Sequence, residues 1–200
     1  MWDARYGEQE FAYGEKPNEY IKKQLENLSP KHILFPAEGE GRNAVYAATL
    51  GWEVSAFDLS HEGYRKAISL CMKHQVTIDY KIGEFSQLEY DNEHFDALAL
   101  VYAHFPPHLR ENYHQQLGKY VKPGGTIILE GFSKNNLELS QQQTASNGPK
   151  NIDMLYTTDI ISQDFQDFDI VELKEEIIDI DEGPFHQGKA SVIRFVGKKR

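Results

Sequence analysis

Strand-like and helix-like patterns alternate along residues 17–131, and this alternation restricts the fold more than any other feature of the chain. Residues 95–102 (FDALALVY) are almost continuously apolar, as in a strand that is buried on both faces. Shorter apolar or β-branched runs predict four further strands, at 32–36, 53–57, 76–82 and 126–130. Strands that alternate with helices favour a parallel sheet covered by helices.

The segments between these strands carry apolar residues at helical spacing. Ile21, Leu25 and Leu28 share one face of a first helix, which is expected to begin at Pro17 and to end near Ser29. The same patterns predict helices over 43–50, from a capping Ser60 to Cys71, over 107–120 and over 158–165. Two strand-like stretches, 169–181 and 190–196, predict a C-terminal hairpin.

Composition excludes several classes of function. The 21 basic and 31 acidic residues give a net charge of −10, which opposes binding to nucleic acid or to an anionic membrane surface. The single cysteine, Cys71, leaves neither an internal disulfide nor a thiolate set for zinc, so a cytoplasmic protein is expected. The first residues lack the apolar run of a secretion signal, and no stretch approaches the roughly 20 apolar residues that span a bilayer.

A glycine-containing turn and a downstream acid predict a nucleotide cofactor. Gly39 and Gly41 lie between a predicted strand and a predicted helix, where backbone N–H groups can meet phosphate or adenosine groups. Asp58 follows 19 residues after Gly39 at the end of the next strand, where an acid can accept both ribose hydroxyls. The same spacing fits NAD, so an NAD-type oxidoreductase and a non-catalytic cofactor-binding module remain alternatives. Against NAD, no second half of a doubly wound sheet follows the fifth strand.

The order of four motifs resembles class I S-adenosylmethionine-dependent methyltransferases, nearest the tellurite-resistance and thiopurine-methyltransferase-like groups. The motifs are ILFPAEGEGRNA (33–44), Asp58-Leu59-Ser60, Phe95-Asp96 and Lys122-Pro123-Gly124-Gly125. The resemblance implies a Rossmann-like three-layer α/β sandwich, with a seven-stranded, mostly parallel sheet and an antiparallel C-terminal hairpin. It also implies one domain, residues 1–200, in which 1–30 cover the cofactor site and the polar stretch 133–156 lies on the substrate side.

The resemblance further implies which residues bind S-adenosylmethionine. The turn of Gly39 and Gly41 would hold its methionine part, and its ribose and adenine would be bordered by Asp58, Leu59, Glu84 and Phe85. Val101 and Tyr102 would line the pocket below the transferred methyl. The family's usual loop acid aligns with Phe35, so our hypothesis is that Glu38 binds the cofactor's amino group, helped by Arg5 on its carboxylate.

The expected reaction is methyl transfer to a small-molecule acceptor by in-line displacement. His104 follows the fourth strand at the edge where open α/β sheets bind substrates, and it is the candidate base. Tyr13, Tyr102 and Tyr156 would form an aromatic wall around the sulfonium, and His186 lies in a loop that would fold over the substrate pocket. No metal is expected, because Glu38 and the two histidines come from distant loops. The sequence does not predict the oligomeric state.

Overall fold

The computed structural model describes residues 2–141 and 147–200 and has three layers, with one seven-stranded sheet between helices. In chain order the strands are β1 (His32–Pro36), β2 (Glu53–Asp58), β3 (Asp79–Ile82), β4 (Phe95–Val101), β5 (Val121–Phe132), β6 (Phe168–Asp181) and β7 (Gln187–Lys199). Their order across the sheet is β3-β2-β1-β4-β5-β7-β6. Strands β1 to β5 pair in parallel, and β7 is antiparallel to both β5 and β6. The predicted fold class is confirmed.

Seven helices accompany these strands in the described residues. They are α1 (Trp2–Tyr6), α2 (Glu19–Glu26), α3 (Arg42–Thr49), α4 (His61–His74), α5 (Pro107–Tyr120), α6 (Asn136–Gln141) and α7 (Thr158–Asp164). Two single 3₁₀ turns occur at Phe85–Gln87 and Ile152–Met154. No helix in the described part of the chain is long and apolar enough to cross a membrane.

The apolar run of β4 divides its side chains between two cores. Leu98 and Leu100 pack into the core that includes residues of α5 and α7, and the small Ala97 and Ala99 pack against α2, α3 and α4. Alternate side chains of a strand point to opposite faces, so both faces of β4 are covered. Strand β1 lies between β2 and β4, so the chain order reverses at β1, where open α/β sheets bind their ligands.

Several predicted boundaries were wrong. Strand β3 begins at Asp79, because Val76 packs into a small apolar cluster with α4. Strand β5 begins at Val121, which pairs with Phe95 before a register shift, so the Pro-Gly-Gly stretch lies within the strand. Helix α2 begins only at Glu19, because the Asn18 side chain accepts the N–H of Ile21 and caps the helix.

The polar stretch 133–156 is less irregular than expected. It contains α6 and a 3₁₀ turn, and its described parts are attached to the β7 region. The Asn136 amide accepts the backbone N–H of Ser191 and donates to the carbonyl of Asn147. The Asn147 amide in turn exchanges two hydrogen bonds with the backbone of Gln187. Residues 142–146 of this stretch lie outside the described residues.

Candidate functional site

The two glycines of the loop between β1 and α3 allow two different close approaches. Gly39 and Gly41 have φ angles of 63° and 86°, a region that favours glycine. A Cβ on Gly41 would lie 2.5 Å from the Cβ of Ala67, so this glycine lets α3 pack on α4. A Cβ on Gly39 would lie 2.6 Å from the hydroxyl of Tyr6, so this glycine lets α1 lie against the loop.

Asp58 lies at the end of β2 and connects the loop to the start of α4. Its Oδ2 accepts the N–H of Gly39 at 3.0 Å, and its Oδ1 accepts the N–H of Ser60 at 2.9 Å. Burial raises the pKa of Asp58, although these backbone N–H groups act in the opposite direction. A carboxylate has about four lone-pair positions, so two accepted bonds leave capacity for a ligand's hydroxyl groups.

Glu38 caps α3 from within the loop. Gly41 occupies the N-cap position and has no side chain to fill it, so Glu38 Oε1 accepts the N–H groups of Asn43 and Ala44, each at 2.8 Å. Burial raises the pKa of Glu38 to about 7, against the effect of these bonds and of Arg42. The second oxygen, Oε2, has the amide of Asn43 at 3.5 Å and is the freer of the two.

Residues 2–15, here called the N-terminal strap, lie across this loop. Tyr6 is buried against Gly39, and its ring stacks on Trp2 with centroids 5.6 Å apart. The Asp3 carboxylate accepts the Ser60 hydroxyl at 2.5 Å and so attaches the strap to the start of α4. Arg5 donates to the Tyr13 hydroxyl at 3.0 Å.

A buried ion pair that the sequence analysis missed anchors the strap. Glu40 Oε1 accepts from Lys66 Nζ at 2.7 Å, and both side chains are almost fully buried. The same carboxylate accepts the N–H groups of Ala12 and Tyr13, at 3.1 and 3.4 Å, and Lys66 also donates to the carbonyl of Glu10. Burying two charges is unfavourable unless they are paired and hydrogen-bonded, and this pair is both. No spacing rule joins residues 26 positions apart in a loop and a helix.

A second polar cluster lies at the end of β4. Tyr102 has a φ of 52°, which is uncommon for a residue with a side chain and marks a position held by its surroundings. Its hydroxyl donates to buried Glu130, and its ring stacks on Phe132 at 4.5 Å. Val101, the residue before it, is half-buried against the α2–α4 side of the core.

His186 lies between the aromatic rings of this cluster. Its ring centroid is 4.3 Å from that of Tyr13 and 4.7 Å from that of Tyr102. His186 Nδ1 is 3.5 Å from Glu182 Oε2, which accepts from Arg42 at 2.8 Å. Burial opposes ionisation of Glu182, but Arg42 and His186 together outweigh it and lower the pKa to about 2. The sequence analysis did not single out Arg42 or Glu182, which are 140 residues apart.

Two predicted residues have positions that do not fit their expected roles. Both ring nitrogens of His104 are bonded to backbone: Nε2 accepts the N–H of Phe132, and Nδ1 lies 2.8 Å from the carbonyl of Met154. Because both nitrogens are occupied, neither is available to remove a proton from an acceptor, and burial lowers the pKa of the ring to about 4. Tyr156 is 1% exposed and donates to the carbonyl of Ala103, so it belongs to the core and not to a pocket wall.

The residues predicted to border the adenine also differ in whether their positions fit that role. Phe85 is buried in the core, where its ring stacks on Phe57 and meets Tyr113 edge-on, so its ring is not free to border adenine. Glu84 is exposed just before it. Leu59 is 52% exposed directly after Asp58, which is unusual for leucine and leaves an apolar side chain beside the carboxylate.

Comparisons of the sequence and the fold with known proteins show which proteins this chain is similar to. Residues 33–125 match the family model described as a methyltransferase domain. This match covers slightly less than half of the chain. An uncharacterized methyltransferase of Schizosaccharomyces pombe is 25% identical over 108 residues, which cover 53% of this chain and 74% of that protein. The predicted enzyme class, a methyltransferase, is confirmed.

Solved structures show a similarity of fold that extends beyond residues 33–125. A structure from work on the conversion of a disulfide bond into a thioacetal group during echinomycin biosynthesis covers 99% of this chain and 90% of its own, with a TM-score of 0.78 and 16% identity. TehB from Haemophilus influenzae has a TM-score of 0.72 and 13% sequence identity, and the match covers 92% of this chain and 62% of TehB. A SAM-dependent methyltransferase from Methanosarcina mazei has a TM-score of 0.70 and 16% sequence identity, and the match covers 92% of this chain and 98% of that protein.

The loop between β1 and α3 and the end of β2 carry polar and apolar groups that could contact S-adenosylmethionine. Asp58 has unused lone pairs and Leu59 offers an exposed apolar side chain, whereas the space beside Gly39 is taken by Tyr6. Antiparallel β7 lies beside β5, so within the part of the chain that the structure describes no sixth parallel strand completes a dinucleotide-binding sheet. No group of three or more metal-ligating side chains occurs in residues 2–141 and 147–200.

Proposed function

We propose that this chain transfers the methyl group of S-adenosylmethionine to a small-molecule acceptor by in-line displacement. The observation that supports it most is the Asp58 carboxylate at the carboxyl end of β2, bonded to the Gly39 loop and to the start of α4. An acid at this point can accept the ribose hydroxyls of adenosine. Bound there, the cofactor would supply an activated methyl group on a sulfonium.

The remaining contacts to the cofactor follow from the charges near the loop. Glu38 Oε2 is suited to an ammonium group, because its partner oxygen alone caps α3. Arg5 has five N–H donors, of which one reaches Tyr13, so others can bind a carboxylate. Leu59 and Glu84 border the adenine side, and Val101 and Tyr102 lie where the methyl group would point. The ring faces of Tyr13 and Tyr102 attract a sulfonium.

The protein's contribution to the rate is orientation and exclusion of water. A donor and an acceptor held in line can react with an effective molarity of about 10⁵ M or more. The N-terminal strap and the loop at 182–186 cover the end of the sheet, and the backbone N–H of Phe185 donates to the carbonyl of Ala12 where the two meet. We therefore treat residues 1–200 as one functional unit, with 1–30 on the cofactor side and 133–156 on the substrate side.

A small acceptor, and not nucleic acid or a membrane surface, is supported by the net charge of −10. The proposed tellurite-resistance and thiopurine-methyltransferase-like grouping rests on the order of the sequence motifs. A cytoplasmic location stays a prediction that rests on the single cysteine, which is buried.

Calorimetry with S-adenosylhomocysteine tests the assignment of Asp58. A hydrogen bond to a charged group contributes about 1.5–3 kcal/mol, so Asp58→Asn should weaken binding about tenfold or more. The matched control is Asp96→Asn, which changes a carboxylate at the opposite end of the sheet, paired with Lys122 at 2.8 Å. Equal affinity of wild type and Asp58→Asn would contradict the assignment, and stabilisation by NAD in a thermal shift experiment would revive the oxidoreductase alternative.

A further inference from the structure

We propose that the outer edge of β6 is a docking site for an extended, basic segment of a partner polypeptide. Strand β6 lies at one end of the sheet, and in residues 2–141 and 147–200 only β7 pairs with it. Alternate residues of such a strand direct their backbone N–H and C=O groups away from the sheet, where an added strand can bind them. This surface is separate from the glycine loop, so the inference does not depend on the proposed function.

The regular part of this edge is long. Val171 is an extra residue in the ladder between β6 and β7, and a bulge of this kind hinders the addition of a further strand. From Glu172 to Asp181 the pairing with β7 is uninterrupted. This segment exceeds the common strand length of about 5–6 residues, so it offers room for an added strand of ordinary length.

A groove of about 410 Å³ lies beside this edge, between β6 and α6. Ile177 of β6 and Leu139 of α6 supply its apolar lining, and Ile177 is 64% exposed. A single exposed apolar side chain is common on a protein surface, but this one lies in a concave position next to the outer edge of a strand. A facing residue on an added strand would cover Ile177 and remove apolar surface from water.

Two carboxylates flank Ile177 on the same face of β6. Glu175 lies two residues before it and Asp179 two residues after it, and side chains at this spacing point to the same side of a strand. Asp179 is 78% exposed and lies 3.1 Å from the exposed Lys189, and exposed pairs of this kind are weak. This face of β6 therefore presents an acidic, an apolar and an acidic side chain in that order.

Glu175 carries a charge that no basic group in the described part of the chain balances. Its Oε1 accepts from the amide of Asn135 and from the hydroxyl of Ser191, both at 2.9 Å, and both donors are neutral. Glu138 of α6 also lines the groove, whereas Glu176 is already neutralised by basic side chains of β6 and β7 at 3.2 and 2.7 Å. Lysine or arginine side chains of a partner would supply the missing positive charge.

The complement of this face is a strand that carries basic, apolar and basic residues at alternate positions. Its apolar residue would lie opposite Ile177 and its basic residues opposite Glu175 and Asp179, and opposite charges on facing residues stabilise such a pairing. Because the order is symmetric, it fits an added strand that runs in either direction. A second copy of β6 does not fit. Pairing the Ile177 side chains of two copies would place Glu175 opposite Asp179, and facing like charges are destabilising.

Binding of a synthetic strand tests this inference. The probe is the end-blocked, fluorescently labelled heptapeptide TKTITKT, which carries Lys, Ile and Lys on one face, and anisotropy at about 0.15 M salt measures its affinity. We expect wild type to bind it with a Kd below about 1 mM. Ile177→Lys should weaken binding at least about tenfold, because it replaces the apolar contact by a like charge. Val171→Lys is the matched control, since it adds the same charge at a 65% exposed residue in the bulge, and should leave the affinity nearly unchanged.

Two altered peptides separate strand pairing from a general attraction between charges. TKTITKT with every backbone N–H methylated cannot form the ladder, and TETITET reverses the two charges, so each should bind at least about tenfold more weakly. In wild type, the amide resonances of residues 174–178 should shift when TKTITKT is added. Those of β3, at the other end of the sheet, should not.

The inference is overturned if wild type does not bind TKTITKT, or if Ile177→Lys binds it as tightly as wild type does. Equal affinity for the methylated or the acidic peptide also overturns it. Self-association of wild type that Ile177→Lys abolishes overturns it as well, because the occupant would then be a second copy of this chain. Both substitutions change exposed side chains, so both variants should keep the Tm of wild type.

Discussion

Replacing Lys66 by methionine should destabilise the protein strongly, because it leaves the Glu40 carboxylate buried without its counter-ion. The two side chains are 6% and 2% exposed, with Nζ 2.7 Å from Oε1. Removing one partner of a buried ion pair lowers the free energy of unfolding by about 3–5 kcal/mol. Glu40 would keep the N–H groups of Ala12 and Tyr13, so we expect the lower end of this range, about 3 kcal/mol.

Urea unfolding and thermal melting measure this change. For a chain of this length, about 3 kcal/mol corresponds to a fall in Tm of roughly 6–12 °C. The effect should be concentrated in the N-terminal strap, so the amide protons of Ala12 and Tyr13 should exchange faster in Lys66→Met than in wild type. The double variant Glu40→Gln/Lys66→Met should lose less stability than the sum of the two single variants, because the unpaired charge is gone.

The adjacent residue on α4 provides the control. Arg65 pairs with Glu62 at 2.7 Å, but its side chain is 66% exposed, and exposed pairs contribute about 0–1 kcal/mol. Arg65→Met should therefore leave stability nearly unchanged. If Lys66→Met were as mild as Arg65→Met, or if strap exchange did not change, the Glu40–Lys66 pair would not anchor the strap and our reasoning would be refuted.

Three further predictions follow from single side chains. Gly41→Ala should destabilise by about 1–3 kcal/mol more than Gly51→Ala in urea unfolding, because both have a positive φ but only the Gly41 Cβ would overlap Ala67; equal losses would contradict this. Burial raises the pKa of Glu38 from its ordinary 4.5 to about 7. The folded state therefore binds the carboxyl proton more tightly than the unfolded state does, and the stability that this proton contributes is lost as the pH rises from 4.5 to about 7. The stability of wild type relative to Glu38→Gln should accordingly fall between pH 4.5 and about pH 7, and an unchanged difference would argue against the buried carboxylate. His104→Asn should lower the unfolding free energy by at least about 1–3 kcal/mol, since two backbone groups lose their partner, yet keep the transfer rate of the folded fraction; loss of rate without loss of stability would make His104 catalytic after all.

The fold was predictable because its signals are local and repeated. The apolar run at β4 is buried on both faces, and each predicted strand exists, with errors only at its ends. Those errors arise from tertiary contacts. Val76 joins an apolar cluster instead of β3, and Val121 extends β5 by pairing with Phe95. Hydrophobic periodicity gives the type of an element but not where pairing starts.

The candidate site was predictable only where backbone geometry demands a residue type. Gly39 and Asp58 were predicted to lie together because a strand-to-helix turn favours glycine and the next strand ends at the same edge of the sheet, and the structure joins them by a hydrogen bond of 3.0 Å. The role of His104 could not be predicted from its place after β4. Its ring lies between two backbone groups, of residues 132 and 154, and only the folded chain brings these to it.

The glycine loop shows most clearly why spacing alone falls short. Its two glutamates are two residues apart and face different partners. Glu38 turns inward to the start of α3, while Glu40 turns to Lys66 and the strap. Gly39, between them, has a φ of 63°, a backbone conformation that favours glycine. A motif written as Gly-x-Gly treats Glu40 as a free position. Its carboxylate nevertheless joins the glycine loop to the N-terminal strap, and a substitution there should disturb both at once.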